Sequence, residues 1–296
     1  MCALYQFVFA AMGRSIHGNP PYGWFSTFTR TSLFTTFYAP NNAALVVVGD
    51  FEPAQAKQWI TKHFASIPRR SLPKPPDLTE PRQTVERRAT RKDTLATRPA
   101  LGVAYHVPPR NTPEWYAFGL LDQILAQGKD SRLYDAMVRE RGLTGDVAAG
   151  INWGLGSQFD YNGPMLWLAS FYHDADKPAD SLLAVLDRAV ADLQTKPVDA
   201  ATLARAQTKM RASLYAEIEQ FQNFGRANLL ASFALFDNDP ARINRLEGEF
   251  AKVTPALLQK TAREWLRPTN RTVYTIIAAP RPNASATPAT PAKSGQ

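Results

Sequence analysis

The sequence predicts an α+β protein built from two-layer α/β sandwich domains, one complete and one partial. Helix and strand patterns alternate between residues 93 and 280, a segment of ordinary domain size. A proline-rich segment separates this region from the start of the chain, and one helix–turn–strand pattern occurs twice. Because the predicted helices are long, we expect them to cover one face of a mostly antiparallel sheet.

The complete domain is predicted from eight consecutive patterns: strand, helix, helix, strand, helix, long helical stretch, helix and strand. The corresponding segments are "ALGVAYHV", "TPEWYAFGLLDQILAQG", "DSRLYDAMVRERG", "GPMLWLASFYH", "ADSLLAVLDRAVADLQ", residues 200–236, "TPALLQKTAREWL" and "TVYTIIA". Thr112 is the expected cap of the first helix, and Gly128 is expected to end it. Asp130 or Ser131 is expected to cap the second helix, which should end at Gly142.

Residues 68–92 are predicted to be a linker. Their first part, "PRRSLPKPPDLTEP", holds five prolines, which block both helix and sheet hydrogen bonding. Their second part, "RQTVERRATRK", is the most basic segment of a chain with net charge +8. Since no aromatic residues alternate with these cations, we interpret the segment as a solvated charged surface and predict no nucleic-acid partner.

The two ends of the chain show no strong targeting or folding signal. Residues 281–296 are rich in Pro, Ala and Ser and are predicted to be disordered. The N-terminal "MCALYQFVFAAMGRS" is a poor signal peptide because no basic residue precedes its apolar part. No apolar run reaches the roughly 18 residues that a membrane span needs, and the compartment stays undetermined.

One pattern, found at residues 37–48 and again at 265–276, indicates a duplicated domain. "FYAPNNAALVVV" and "WLRPTNRTVYTI" share an aromatic residue, a Pro, an Asn two places later and an apolar strand. Proline stops a helix and asparagine tolerates the tight turn that follows. The comparison predicts that residues 1–67 are the C-terminal remnant of a first domain, of which roughly 130 residues are missing.

Three phrases then carry a resemblance to a known family. They are "FYAPNNAALVVVGDFEPAQAKQWITKHFASIP", "AQGKDSRLYDAMVRERGL" and "VTPALLQKTAREWLRPTNRTVYTII". The chain resembles the M16 metallopeptidases, which include pitrilysin, insulin-degrading enzyme, the mitochondrial processing peptidase and the cytochrome bc1 core proteins. The resemblance implies sandwich domains of the M16 (LuxS/MPP-like) type, with residues 93–280 as an inactive-type second domain. It also implies zinc held by an inverted His-x-x-Glu-His helix, near the start of a first domain.

That zinc motif is not found in this sequence. The four histidines are His17, His63, His106 and His173. No two of them are close enough in sequence to share a helix face, so we predict neither a metal site nor a catalytic residue. Cys2 has no acid–base partner nearby, "GLGSQ" (154–158) is too short for a phosphate loop, and Asp174 and Asp176 are interpreted as loop residues.

The resemblance also implies a substrate contact that this chain lacks. Active relatives often carry an Arg and a Tyr on either side of a Gly-Leu step in the half without zinc. Here the step is Gly142-Leu143, the Arg position is Val138 and the Tyr position is Gly145. Arg139 and Arg141 are nearby and could substitute, but a shift of one place on a helix points a side chain in another direction. Arg132 is interpreted as structural. The substrate-binding residues therefore stay unknown.

These observations favour a non-catalytic M16 protein, a truncated or zinc-less half that supports peptide binding or assembly with a zinc-bearing half. We expect zinc in that partner and no activity from this chain alone. Two alternatives stay open: a structural protein like the bc1 core proteins, and the fragment of a decayed peptidase gene. Because the first domain is incomplete, we also expect the chain to associate with itself or with an M16 half.

Overall fold

The computed structural model describes residues 37–74, 77, 79–220 and 224–279. The helices are α1 (Pro53–Phe64), α2 (Pro113–Leu125), α3 (Arg132–Tyr134), α4 (Ala179–Thr195), α5 (Ala200–Glu219), α6 (Gly225–Asp237), α7 (Leu246–Ala251) and α8 (Pro255–Trp265). The strands are β1 (Arg87–Asp93), β2 (Ala100–His106), β3 (Ala148–Ile151), β4 (Leu166–Tyr172) and β5 (Arg271–Ala278). Cys2, His17 and residues 281–296 lie outside the described residues.

The five strands form one sheet in the order β1-β5-β2-β4-β3. Strand β1 runs parallel to β5, and the other neighbouring pairs are antiparallel. The main core joins alternate strand residues, such as Val103 and Phe171, to the buried faces of α2, α4, α5 and α8. A smaller cluster around Leu168 and Tyr274 lies on the other face of the sheet, since successive strand residues alternate faces. The predicted α+β class is confirmed.

The helix boundaries around α2 and α3 follow the predicted caps. The Thr112 hydroxyl accepts a hydrogen bond from the Trp115 backbone N–H at 3.2 Å, and Gly128 adopts a left-handed φ of 78° after the helix. Ser131, the second of the two expected caps, accepts from the Tyr134 backbone N–H at 3.4 Å. Helix α3 continues as a π-helical turn over Asp135–Arg139.

The predicted linker is too long at its C-terminal end, because Arg87–Asp93 is a strand. Its charged side chains gave no strand signal; the pairing with β5 produces the strand. The preceding residues are also anchored to β5. The Gln83 side chain donates to the Arg271 carbonyl, and Glu86 forms an ion pair with the Arg271 side chain. The domain therefore begins before residue 93.

The predicted helical stretch 200–236 is two helices, α5 and α6. Before α6, Phe224 has a left-handed φ of 57° and Gly225 a φ of 34°. A Cβ atom at Gly225 would lie 2.6 Å from the carbonyl oxygens of Ile218 and Gln220, so a side chain does not fit there. The start of α6 therefore packs so closely against the end of α5 that only glycine fits at position 225.

The two copies of the repeated pattern adopt the same turn. Pro40–Asn42 and Pro268–Asn270 each form one 3₁₀ turn, and the backbone N–H of each Asn donates to the carbonyl three residues back at 2.9 Å. The Asn42 side chain donates to the Phe37 carbonyl at 2.8 Å, and the Asn270 side chain donates to the Trp265 carbonyl at 2.7 Å. The shared sequence pattern thus specifies a shared local structure.

The segments after the two turns differ. Residues 271–278 form β5, whereas the strand expected at residues 44–48 is not formed in the described structure. A strand needs a neighbour for its hydrogen bonds, and the described residues provide none for this segment. Leu45, Val47 and Val48 are 57%, 47% and 45% exposed. Helix α1, which follows, also buries none of its residues.

Candidate functional site

The histidines do not meet in the described structure. His63 lies exposed on α1, and His106 ends β2 with its Nδ1 3.6 Å from Glu80 Oε2. His173 is buried after β4, and its Nδ1 lies 2.9 Å from the Asp174 carbonyl oxygen, to which it can donate. Within the described residues, no group of three or more His, Cys, Asp or Glu side chains could hold a metal ion. These residues do not fit a zinc ion.

The Gly142-Leu143 step forms a tight helix end. The Leu143 N–H donates to the Met137 carbonyl at 2.7 Å, and Gly142 adopts a left-handed φ of 54°. This is the pattern by which glycine closes a helix. Lys177, from the loop before α4, donates to the Gly142 carbonyl, so the step is held against the end of β4.

The residues around the step are exposed, half-buried or already paired. Val138 is half-buried in the π-helical turn, and Gly145 is exposed, with open space for 4 Å around the point that a Cβ atom would occupy. Arg139 pairs with Asp135 at 2.7 Å along its own helix. Arg141 is exposed. Open space therefore surrounds Gly145, the residue predicted to occupy the Tyr position.

The loop after this step leads into β3, at one edge of the sheet. The Thr144 hydroxyl donates to the Tyr172 carbonyl at 2.7 Å and thereby fixes the loop to β4. Strand β3 pairs with β4 on one side. On its other side, the Ala149 carbonyl accepts from the Gln127 side chain at 2.8 Å. An extended peptide can add to an edge strand of this kind.

A buried carboxyl group is linked to β3 through the Gln127 amide, which donates to both. Asp122, on α2, accepts from the Trp167 indole N–H at 2.6 Å and from the Gln127 amide at 3.0 Å. Burial raises the pKa of Asp122 to about 6, against the effect of these donors and of the Lys209 charge. Sequence reasoning missed this group, although an Asp within the apolar "FGLLDQIL" was a signal.

Two buried arginines hold separate parts of the domain together. Arg110 forms an ion pair with Asp237 at 3.0 Å and donates to the Phe159 carbonyl at 2.8 Å, which joins the start of α2 to the end of α6. Arg271 pairs with Glu86 and with Asp187 of α4. Because these guanidinium groups are fully engaged, their role is structural.

A shallow cleft of about 240 Å³ lies between α5 and α7. Its apolar walls include Met210, Leu214 and Phe250, and an ion pair between Arg211 and Glu247 at 3.4 Å lies at its rim. The cleft is separate from the Gly142-Leu143 step and from β3, and the charged pair at its rim is already satisfied.

The most prominent surface feature is an exposed apolar strip on residues 37–67. Nine of the sixteen exposed large apolar residues of the described structure belong to it: Phe37, Tyr38, Leu45, Val47, Val48, Phe51, Trp59, Phe64 and Ile67. Such a concentration is typical of a surface that another protein segment covers. None of the helices in the described parts of the chain has the length and apolar character that a membrane span requires.

Comparisons with known proteins agree with this architecture. A family model described as peptidase M16 inactive domain matches residues 31–210. The zinc protease PqqE of Helicobacter pylori is 22% identical over 239 residues, which cover 80% of this chain and 51% of that protein.

Solved structures show the same fold. A protease from Helicobacter pylori has a TM-score of 0.71 at 19% identity, with 85% of this chain and 59% of that chain covered. A peptidase M16 inactive domain from Pseudomonas fluorescens has a TM-score of 0.67 at 15% identity, with 86% and 59% covered. The chain thus spans little more than half the length of these relatives.

Proposed function

The chain belongs to the peptidase M16 inactive-domain family, and from this premise we propose that it is a non-catalytic M16 half. In this role it assembles with a half that carries the His-x-x-Glu-His zinc motif and supports the binding of peptide there. It does not cleave peptides alone. The observation that carries the proposal is the exposed apolar strip, whose concentration of large apolar side chains favours a protein partner.

The position of β3 as the last strand at this end of the described sheet supports the peptide-binding part of the proposal; the Gln127 amide occupies the Ala149 carbonyl there, and a peptide would pair with the other main-chain groups of this edge. The Gly142-Leu143 step and Thr144 fix the loop that precedes this strand. An extended peptide added to β3 would gain main-chain hydrogen bonds without a specific side-chain clamp. Since Val138 and Gly145 replace the Arg and Tyr of active relatives, we expect such contacts to be weak and tolerant of peptide sequence.

The test combines the purified chain with the M16 polypeptide of the same genome that carries the zinc motif. Cleavage of an internally quenched peptide is measured for each chain alone and for the mixture. We expect no cleavage by this chain and at least about tenfold faster cleavage by the mixture than by the zinc-bearing chain. A complex that forms without any change in cleavage would favour the bc1-core-like structural role. Absence of a complex would contradict the proposal.

The double variant Val138→Arg/Gly145→Tyr probes the peptide contact separately. Gly145 has open space around it, and its backbone does not need glycine. If peptide contacts pass through this region, the variant should lower KM in the mixture and leave kcat nearly unchanged, because it adds ground-state binding. An unchanged KM would place the peptide contact elsewhere.

A further inference from the structure

We propose that Asp122 and Gln127 form a latch on strand β3 that a proton opens. The ionised Asp122 carboxylate holds the Gln127 side-chain amide on the Ala149 carbonyl, and protonation of Asp122 releases that carbonyl to an added peptide strand. The inference rests on the proposed function and adds the regulation of its peptide contact by pH. Asp122 and Gln127 are positioning residues, because they act through β3.

The latch is one amide group shared by two acceptors. Gln127 Nε2 lies 3.0 Å from Asp122 Oδ2 and 2.8 Å from the Ala149 carbonyl oxygen. An amide NH2 group has two hydrogens, so it can donate to both oxygens at once. The Gln127 carbonyl in turn accepts from Lys209 of α5, which anchors this end of α2. A single side chain therefore ties β3 to α2.

The latch occupies an important part of what β3 can offer to a peptide. In an antiparallel strand, the main-chain groups of every second residue point to the same side. The Asn152 N–H donates to a β4 carbonyl at 2.8 Å, so the groups of Ala149 and Ile151 point away from β4. Because β3 has only four residues, few other groups point this way. An extended peptide gains the Ala149 carbonyl only when the Gln127 amide leaves it.

The Trp167 indole determines which oxygen of Asp122 binds the proton. Its N–H donates to Asp122 Oδ1 at 2.6 Å, which leaves Oδ2, the oxygen that faces Gln127, as the site for the proton. Protonation then replaces a charged acceptor by a neutral hydroxyl group. Hydrogen bonds to charged groups are roughly twice as strong as neutral ones, so the Gln127 amide is held less firmly when Asp122 is neutral.

The groups around Asp122 let it change its charge in a mildly acidic range. Strand β4 contributes the Trp167 indole, and β3 carries no titratable side chain. Burial raises the pKa of Asp122 to about 6, against the effect of the Lys209 ammonium on α5. Lys209 also donates to Asp130 at 2.8 Å and holds the pKa of Asp130 below its usual range. Asp130 therefore stays ionised where Asp122 titrates.

The first test uses NMR on the purified full chain. The side-chain amide resonances of Gln127 should shift between pH 5 and pH 7.5 with the same midpoint as the Trp167 indole N–H, and Asp122→Asn should abolish both shifts. Gln127 resonances that stay constant while Trp167 titrates would overturn the latch. This measurement needs neither partner nor peptide, so it judges the latch separately from the proposed function.

The second test measures KM for the quenched peptide in the mixture with the zinc-bearing chain. Wild type and variants are compared at the same pH, which cancels the titration of the zinc-bearing chain. At pH 7.5, Asp122→Asn and Gln127→Met should each lower KM by at least about threefold, with kcat nearly unchanged. At pH 5.5 both variants should resemble the wild type. Gln127 is half-buried and Met has a similar length, so this variant should fold.

The matched control is Glu114→Gln, which makes the same change from carboxyl to amide on α2 and lies away from β3. It should keep the wild-type KM at both pH values. If the ratio of variant to wild-type KM is the same at pH 5.5 and pH 7.5, the latch does not regulate peptide binding and the inference is overturned. A mixture that cleaves no faster than the zinc-bearing chain would instead contradict the proposed function, and with it the regulatory role of the latch.

Discussion

Asp122 should make the stability of this protein fall as the pH rises from 4 to 7. Burial raises its pKa from 3.8 to about 6 in the folded state. Since the folded pKa lies above the unfolded one, the folded state binds the proton more tightly. The stabilisation is full below the unfolded pKa and is lost as the pH rises through the folded pKa. One pKa unit corresponds to about 1.4 kcal/mol, so the loss is about 3 kcal/mol.

The variant Asp122→Asn isolates this contribution. Its amide does not titrate, and its altered contact with Gln127 adds an offset to the free energy of unfolding that does not change with pH. Urea denaturation at several pH values gives the free energy of unfolding of both proteins. Because pH 4 already lies just above the unfolded pKa, part of the full loss of about 3 kcal/mol has occurred there, and the wild-type value minus the variant value should fall by about 2 kcal/mol between pH 4 and pH 7.

The control is Glu114→Gln on the same helix. A hydrogen bond from Lys260 lowers the pKa of Glu114, so its stabilisation is present above the unfolded pKa and is lost as the pH falls. The free energy of unfolding of the wild type minus that of Glu114→Gln should therefore rise between pH 4 and pH 7. The rise should be smaller than the fall for Asp122→Asn, because the Glu114–Lys260 pair is close to solvent. If the free energy of unfolding of the wild type minus that of Asp122→Asn stays constant from pH 4 to pH 7, the raised pKa of Asp122 is refuted.

The NMR resonance of the Trp167 indole N–H, which donates to Asp122, offers an independent check. Its chemical shift should titrate with a midpoint near the Asp122 pKa of about 6.

Three further predictions concern metal content, domain limits and packing. Metal analysis of the purified chain should find no stoichiometric zinc, and one tightly held zinc per chain would contradict the interpretation of the histidines. Limited proteolysis should cut the mostly exposed residues 65–74 and leave a stable C-terminal fragment that includes β1; a resistant fragment made of residues 1–67 would contradict this. Arg110→Met should destabilise the protein by about 3–5 kcal/mol, because it leaves the buried Asp237 carboxylate without its charged partner and with only the Asn111 amide as a side-chain donor. Denaturation will measure this loss, and a change below about 1 kcal/mol would show that Asp237 reaches water.

The sequence predicts well the elements whose signals are local. Thr112 and Gly128 mark α2 because capping and left-handed turns depend on the nearest residues. Strand β1 is missed since its charged sequence carries no apolar alternation and its pairing partner, β5, is distant in the chain. Strand β3 has four residues, too few for a pattern. The expected strand at residues 44–48 fails for the opposite reason: its local signal is strong, and its neighbours are not among the described residues.

The candidate site is less predictable than the fold. The resemblance locates the Gly142-Leu143 step and implies that Val138 and Gly145 stand at the Arg and Tyr positions, an assignment that stays a prediction. The Asp122 site depends on Trp167, which comes from another strand, so no local pattern in the sequence reveals that contact. The exposed apolar strip follows from the amphipathic pattern of α1 only after the structure shows that nothing described covers it.

The position of β5 in the sheet has a consequence for folding during synthesis. Strand β5 lies between β1 and β2, yet it is the last of these strands to leave the ribosome. Glu86 meets Arg271, 185 positions later, so at roughly 5–20 residues per second β1 waits on the order of 10 s or longer for its partner. During this time the backbone hydrogen-bonding groups of β1 and β2 that later pair with β5 have no strand partner, and the sheet is completed when β5 inserts between them. The charges of β1 then protect the unfinished chain from association, which gives the basic segment a role before the native structure exists.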